Sequence, residues 1–162
     1  MKKRFISMIM SLVMLFVLAM PTSVTVHADP TPIKIQNYAT GQYMSYQNAS
    51  DMTCIEMKSL NASGYQQTFC ATTYTSGIVL WLYGYSNSLA VGIYSYPPTQ
   101  LRVRSSGFST YGITVQSVGN NLVQLRSTYD SDYIVAASGG YAVLVPEAQI
   151  SDITTTYWNI MW

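Results

Sequence analysis

From residue 29 onwards the chain alternates between apolar and polar positions in short runs, which clusters of Gly, Ser, Asn and Asp separate. Alternation with a period of two predicts β-strands, and the intervening clusters predict turns. No window of ten or more residues in this part shows the period of an α-helix. The pattern therefore predicts an all-β domain built of short strands.

The first 28 residues follow a different pattern. A positively charged start, Lys2 to Arg4, precedes an apolar run over 5–20, and small residues lead up to Ala28. This order is typical of a secretory signal peptide, and the run is shorter than the ~20 residues that span a bilayer. We expect cleavage after Ala28, secretion of a single mature domain over 29–162, and no transmembrane segment in that mature form.

The mature part repeats itself three times. Its strongest block aligns without gaps in three segments: IKIQNYATGQYM from Ile33, VLWLYGYSNSLA from Val79 and VQLRSTYDSDYI from Val123. In each segment a new strand begins after the turn on an apolar residue, and the alignment makes these three residues equivalent: Tyr43, Leu89 and Tyr133. A second block keeps the same register: TCIEMKS from Thr53, TQLRVRS from Thr99 and VLVPEAQ from Val143. Repetition at a fixed period indicates one structural unit used three times.

The repeat defines three units of about four short strands each, at about 33–78, 79–122 and 123–162. A propeller needs about four or more blades to close its ring, so three units exclude it. A closed barrel capped at one end by three hairpins does explain a threefold repeat. The sequence therefore predicts a β-trefoil with pseudo-threefold symmetry.

The composition of the chain narrows the range of functions that it can have. The predicted mature domain keeps five basic and seven acidic residues, a net charge of −2 that suits nucleic acid poorly as a partner. The chain's one histidine, His27, lies in the predicted signal peptide, so a Ser-His or Cys-His pair is not available. No cofactor motif is present, and a zinc shell cannot be completed. We expect a non-catalytic protein without metal or cofactor.

Cys54 and Cys70 are the two cysteines of the chain. Export permits a disulfide, which would stabilise the fold by roughly 3 kcal/mol for a loop of this length. They fall in neighbouring strands of one unit, so we expect a bridge. The alternative is two buried thiols, as is common in exported proteins of the Gram-positive type.

The first unit resembles a known family. TGQYMSY, then CIEMK, then YQQTF resemble one repeat of the ricin-type β-trefoil lectins, and Tyr157-Trp158-Asn159-Ile160 resembles the closing strand of a last repeat. The resemblance covers the chain from about Ile33 to its end. It implies a β-trefoil that binds sugars in shallow pockets, with one possible pocket in each repeat.

The resemblance also implies where a sugar would bind. The family's acidic ligand falls on Ser45, Val91 and Val135, and its stacking aromatic falls on Lys58, Arg104 and Ala148. Its amide pair falls on Gln66 and Gln67 in the first unit. A galactose-type site is therefore lost, but the first unit keeps a polar set that we expect to bind a glycan: Ser45, Tyr46, Asn48, Glu56, Lys58, Gln66 and Gln67.

Several functions stay open. The leading interpretation is weak, single-site binding of a neutral glycan on a cell surface or polysaccharide, and its alternative is an ordinary solvated rim. A second class is a trefoil that binds an extracellular protein, such as a protease inhibitor or a toxin component. A weak glycosidase is a third, since the seven acidic residues do not exclude a carboxylate pair.

Overall fold

The computed structural model describes residues 31–74, 77–85, 88–93, 99–105, 112–128 and 130–162. The predicted signal peptide, 1–28, lies outside these residues. Within them, no helix has the length and apolar character needed to cross a membrane. The helical elements of the described chain are two 3₁₀ helices, Glu147–Gln149 and Ile153–Thr156.

Thirteen strands form one continuous sheet in the described part of the chain. In order they are β1 (Lys34–Asn37), β2 (Tyr43–Ser45), β3 (Glu56–Lys58), β4 (Phe69–Tyr74), β5 (Gly77–Leu82), β6 (Ala90–Gly92), β7 (Thr99–Gln100), β8 (Arg102–Arg104), β9 (Ile113–Gly119), β10 (Leu122–Ser127), β11 (Tyr133–Ser138), β12 (Tyr141–Pro146) and β13 (Tyr157–Met161). In β3 and β8 a buried residue lies between two half-buried ones, as a period of two requires.

Six of these strands close into a barrel. β1 pairs with β13, β13 with β10, β10 with β9, β9 with β5, and β5 with β4. A bridge between Ile33 and Phe69, with N···O distances of 2.8 and 2.9 Å, joins the start of β4 back to β1. Closure leaves the barrel without a free strand edge.

Three hairpins form the cap: β2 with β3, β6 with β8, and β11 with β12. They meet in a cycle of three backbone hydrogen bonds. The N–H of Ile55 donates to Leu101 O (2.8 Å), that of Leu101 to Ala142 O (2.8 Å), and that of Ala142 to Ile55 O (2.9 Å). A cycle of equivalent bonds marks a pseudo-threefold axis. The structure is a β-trefoil, and the predicted all-β fold is confirmed.

Strand registers identify the equivalent residues of the three units, and these residues build one core. The first barrel strand of each unit (β1, β5 or β10), or the residue just before it, contributes two sets: Ile33, Ile78 and Val123; and Ile35, Leu80 and Leu125. The cap contributes three sets: Met44, Val91 and Val135; Ile55, Leu101 and Ala142; and Met57, Val103 and Leu144. The closing strands contribute Phe69, Ile113 and Trp158. Every unit thus supplies the same six positions to a shared interior.

This register corrects the gap-free alignment of the first block. Met44, Val91 and Val135 are equivalent because they pair with the equivalent residues of the third strands. The counterparts of Tyr43 are therefore Ala90 and Ile134, not Leu89 and Tyr133. The physical reason is the turn after the first strand, whose flanking partners lie seven, nine and eight positions apart: Gln36 and Tyr43, Trp81 and Ala90, Arg126 and Ile134.

The second block also shifts in the third unit. The sequence alignment places Val145 opposite Ile55, whereas the structure places Ala142 there. Gly139 and Gly140 have positive φ values of 57° and 81° and join β11 to β12 in a tight turn. In the first unit the longer loop 46–55 separates β2 from β3. Eight positions separate Ile134 from Ala142, whereas twelve separate their counterparts Tyr43 and Ile55, so the third hairpin is four residues shorter than the alignment assumed.

The expected disulfide is not formed, and both cysteines are free thiols. Cys54 lies in the cap, where its backbone forms an isolated β-bridge with Arg102. Its Sγ donates a hydrogen bond to Gln100 Oε1 at 3.2 Å. Cys70 lies in barrel strand β4, buried beside Trp81, and this burial raises the pKa of its thiol. The two residues belong to different layers of one unit, so the assumption of neighbouring strands was wrong.

Trp158 is the largest fully buried side chain, and its indole N–H donates to Val135 O at 3.0 Å. Trp158→Ala should lower the free energy of unfolding by about 3–5 kcal/mol, because it opens a cavity in the shared core. Trp162→Ala is the matched control, since Trp162 is 84% exposed, and should change it by less than about 0.5 kcal/mol. Urea unfolding measures both, and similar losses in the two variants would contradict the assignment of the core.

Candidate functional site

The seven residues expected to bind a glycan occupy different depths of the first unit. Three of them are buried, namely Ser45, Tyr46 and Gln67. Glu56 and Lys58 are half-buried, and Asn48 and Gln66 are exposed. Strand pairing and hydrogen bonds join six of the set, while Asn48 lies in the loop 46–55. The members that a surface ligand can touch are separate from those that support the fold.

Gln67 is fully engaged within the protein. Its side-chain amide donates to Ser45 Oγ at 3.0 Å and to Ser59 O at 2.8 Å. Its Oε1 accepts from the N–H of Asn61 at 2.7 Å. Both amide hydrogens are therefore used, and Gln67 holds the loop after β3 against β2 instead of facing solvent.

Tyr46 forms the floor of the region. Its ring packs edge-on against Phe69, with centroids 5.5 Å apart, and its hydroxyl donates to Gln66 Oε1 at 3.0 Å. Burial, with smaller effects from Tyr85 and Cys70, raises the pKa of Tyr46 to about 12. The hydroxyl therefore stays protonated and orients the exposed amide of Gln66.

Glu56 and Lys58 share one face of β3 because Met57 between them points into the core. Lys58 Nζ lies 2.6 Å from Glu56 Oε2, which also accepts from the hydroxyl of Tyr65 at 3.2 Å. The ammonium lies 4.7 Å from the centroid of the Tyr65 ring. These contacts hold Tyr65 in place, and the hydrogen bond to Glu56 raises the pKa of Lys58.

A polar pocket of about 290 Å³ opens beside Tyr65. Its exposed or half-buried walls are Lys34, Asn61, Tyr65, Gln66 and Tyr83, and Tyr46 lies beneath them. Asn61 adopts a left-handed backbone conformation, with φ of 56°. With buried Tyr46 and Gln67 included, the described lining contains three tyrosines, three side-chain amides, Thr68 and one ammonium group, and no carboxylate.

Strand register explains why distant residues meet in this pocket. Ile33 bridges to Phe69, and Phe69 pairs with Leu82. One step along each strand therefore places Lys34, Thr68 and Tyr83 in a row across three neighbouring strands. Sequence reasoning named Gln66 and Gln67 but missed Lys34 and Tyr83, which lie far from them along the chain. Tyr65 alone could have been found, because it directly precedes the amide pair.

The same row in the other two units has different chemistry. In place of Lys34, Thr68 and Tyr83, one row has Val79, Gly112 and Thr128 in that order. The other row has Gln124, Tyr157 and Tyr38. Gln124 is buried, donates to Thr156 Oγ1 at 3.0 Å and accepts from Arg126 at 3.1 Å. Among the residues described, the combination of a cation, an open amide and two tyrosines is thus found where the first unit meets the start of the second.

A larger cavity of about 600 Å³ lies at the barrel, against the first-strand residues Ile33, Ile78 and Val123. Its walls are mostly aliphatic, and Trp162 lines its edge. Such walls offer few partners for hydroxyl groups. The smaller polar pocket is therefore the better candidate for a hydrophilic ligand.

Comparison with known proteins shows the fold. No protein-family model matches the chain, and no curated protein sequence matches it. The designed threefold-symmetric protein ThreeFoil superposes with a TM-score of 0.64 at 14% identity, covering 81% of this chain and 98% of ThreeFoil. A ricin B-like lectin of Macrolepiota procera, solved with lactose, gives 0.60 at 15% identity over 83% of this chain and 96% of the lectin.

A mosquitocidal holotoxin also contains a similar region, with a TM-score of 0.64 at 14% identity. The match covers 83% of this chain but 17% of the toxin chain. The class that these neighbours and the geometry define is the β-trefoil. Lectins and toxin components both occur within it.

Gln67 and Gln66 offer a test of the two roles within the amide pair. Gln67→Ala should lower the free energy of unfolding by about 2–3 kcal/mol, because it leaves Ser59 O and the Asn61 N–H without their partner. Gln66→Ala should cost about 1 kcal/mol, since Gln66 is exposed and the Tyr46 hydroxyl keeps Thr68 O as an acceptor at 3.4 Å. Chemical denaturation compares them, and equal effects would contradict the buried role of Gln67.

The raised pKa of Tyr46 predicts that the free energy of unfolding depends on pH under alkaline conditions. The unfolded chain releases this proton near pH 10, whereas the folded protein keeps it to about pH 12. The free energy of unfolding should therefore fall as pH rises from 10 to 12, by on the order of 2 kcal/mol from this group. In Tyr46→Phe that part of the fall should be absent when urea unfolding is followed across the same range. An unchanged pH profile would contradict the burial of the hydroxyl.

Proposed function

We propose that this chain is a secreted carbohydrate-binding β-trefoil module that holds a glycan in the polar pocket between its first unit and the start of its second. The observation that carries the proposal is the combination of two tyrosine rings, Tyr65 and Tyr83, with the amides of Asn61 and Gln66 around one pocket. A pocket of about 290 Å³ is large enough for about one sugar ring, at the small end of ordinary ligand sites.

The chemistry of these groups suits a sugar. Each hydroxyl that loses water on binding must regain a partner or cost roughly 1–3 kcal/mol. A side-chain amide both donates and accepts, so Asn61 and Gln66 can serve neighbouring hydroxyls. Tyr65 and Tyr83 offer ring faces for the C–H surface of the sugar. Tyr65 is held by Glu56 and Lys58 before any ligand arrives, which lowers the entropy that binding must overcome.

The pocket supports a role in binding rather than in catalysis. Glycoside hydrolysis commonly uses two carboxyl groups on either side of the scissile bond, and the described lining holds none. Glu56 lies nearby, but Lys58 and Tyr65 occupy its carboxylate. The resemblance to ricin-type lectins supports sugar binding as well. The family's acidic position falls on buried Ser45, so this pocket would bind its ligand with different residues.

A shallow pocket with few partners favours weak binding that multivalent display strengthens. A glycan array, followed by calorimetric titration of its hits, tests the proposal. Binding of any glycan with a stoichiometry near one would support it. If no glycan binds even under multivalent display, the sugar-binding proposal fails and the protein-binding alternative becomes the better one.

Tyr83 and Tyr38 provide a matched pair for locating the site. They occupy equivalent positions in two units and are 44% and 60% exposed, but only Tyr83 lines the pocket. Tyr83→Ala should weaken binding of an array hit roughly tenfold through loss of ring contact, whereas Tyr38→Ala should leave it unchanged. Equal losses, or a loss confined to Tyr38→Ala, would place the site elsewhere.

A further inference from the structure

Lys34 differs from the other basic side chains of the described residues, because it forms no ion pair or hydrogen bond through its ammonium within them. The other four are engaged. Their partners are Glu56 for Lys58 at 2.6 Å, Glu147 for Arg126 at 2.9 Å, Met52 O for Arg102 at 3.0 Å, and both Ile93 O at 2.9 Å and Asp51 at 4.0 Å for Arg104.

The position of Lys34 in the fold makes this difference informative. Its threefold equivalents are Val79 and Gln124, which carry no charge, so the core does not require a cation at this place. Lys34 is half-buried and lines the polar pocket next to Tyr83 and Thr68. Among the three equivalent positions, the charge is therefore specific to the one that lines the polar pocket.

We infer that the pocket recognises a negatively charged sugar residue, with the carboxylate or sulfate of the ligand against Lys34 and the sugar ring between Tyr65 and Tyr83. The inference rests on the proposed function and changes the expected ligand from a neutral glycan to an acidic one. Since the described lining holds no carboxylate, nothing there competes with the ligand for the ammonium.

The strength of this contact follows from its environment. A hydrogen bond to a charged group is roughly twice as strong as a neutral one, and an ammonium is already present to meet it. The contact is partly exposed, so salt screens it over ~8–10 Å at ordinary ionic strength. We expect an acidic sugar to bind roughly tenfold tighter than its neutral counterpart at low salt, with the preference shrinking as salt is added.

The test compares matched sugars on matched variants. The probes are glucose with glucuronic acid and galactose with galacturonic acid, each as a multivalent conjugate, measured by calorimetry at low and high salt. Wild type should prefer the acid of at least one pair. Lys34→Gln should lose that preference while keeping residual binding of both sugars, and Lys34→Arg should restore most of it. Unfolding curves establish that both variants fold.

The outcomes separate this inference from the proposed function. Equal binding of acid and neutral sugars by wild type would overturn the role of Lys34 and leave carbohydrate binding intact. A preference for acids that persists in Lys34→Gln would also overturn it, because the anion would then be held elsewhere. If neither conjugate of either pair binds and the glycan array is also blank, the proposed function fails first.

Discussion

Three backbone hydrogen bonds that link Ile55, Leu101 and Ala142 in a cycle hold the cap of this fold together. Each bond joins two different units, so one unit alone leaves a buried donor and acceptor without partners. Unpaired buried backbone groups are costly, and the apolar face of each unit is covered only by the other two. The same constraint applies to the barrel, where the bridge from Ile33 to Phe69 completes the ring. Folding therefore requires all three units together.

The constraint acts on the interior and leaves the surface free to differ. The six equivalent core positions stay apolar in every unit, while the row beside them changes from Lys34, Thr68 and Tyr83 to uncharged sets. The turns that join the first and second strands also differ in length. A symmetric core thus supports an asymmetric polar pocket, because the residues that line it are not repeated in the other two rows.

The repeat, the strand content and the β-trefoil could be predicted from the sequence, because the apolar alternation directly reflects the shared core. Which residues of the three units are exactly equivalent could not be predicted. Turns of different length shift the register by one to three residues, as Leu89 and Val145 show. Part of the candidate pocket could also be predicted. Gln66 was found through its place before the closing strand, but Gln67 next to it proved to be a buried fold-stabilising amide. Lys34 and Tyr83 reach the pocket only through barrel pairing, which no local pattern reveals.

The most direct test of this account is an NMR titration that follows backbone amides during addition of a glucuronic acid conjugate. We expect chemical-shift changes concentrated at Asn61, Tyr65 to Thr68 and Tyr83, with little change at the equivalent positions Tyr157 and Tyr38. The amides of Ile55, Leu101 and Ala142 should stay unchanged, because the core does not respond to the ligand. Shifts spread equally over the three equivalent rows, or confined to the row of Gln124, Tyr157 and Tyr38, would contradict binding at the polar pocket.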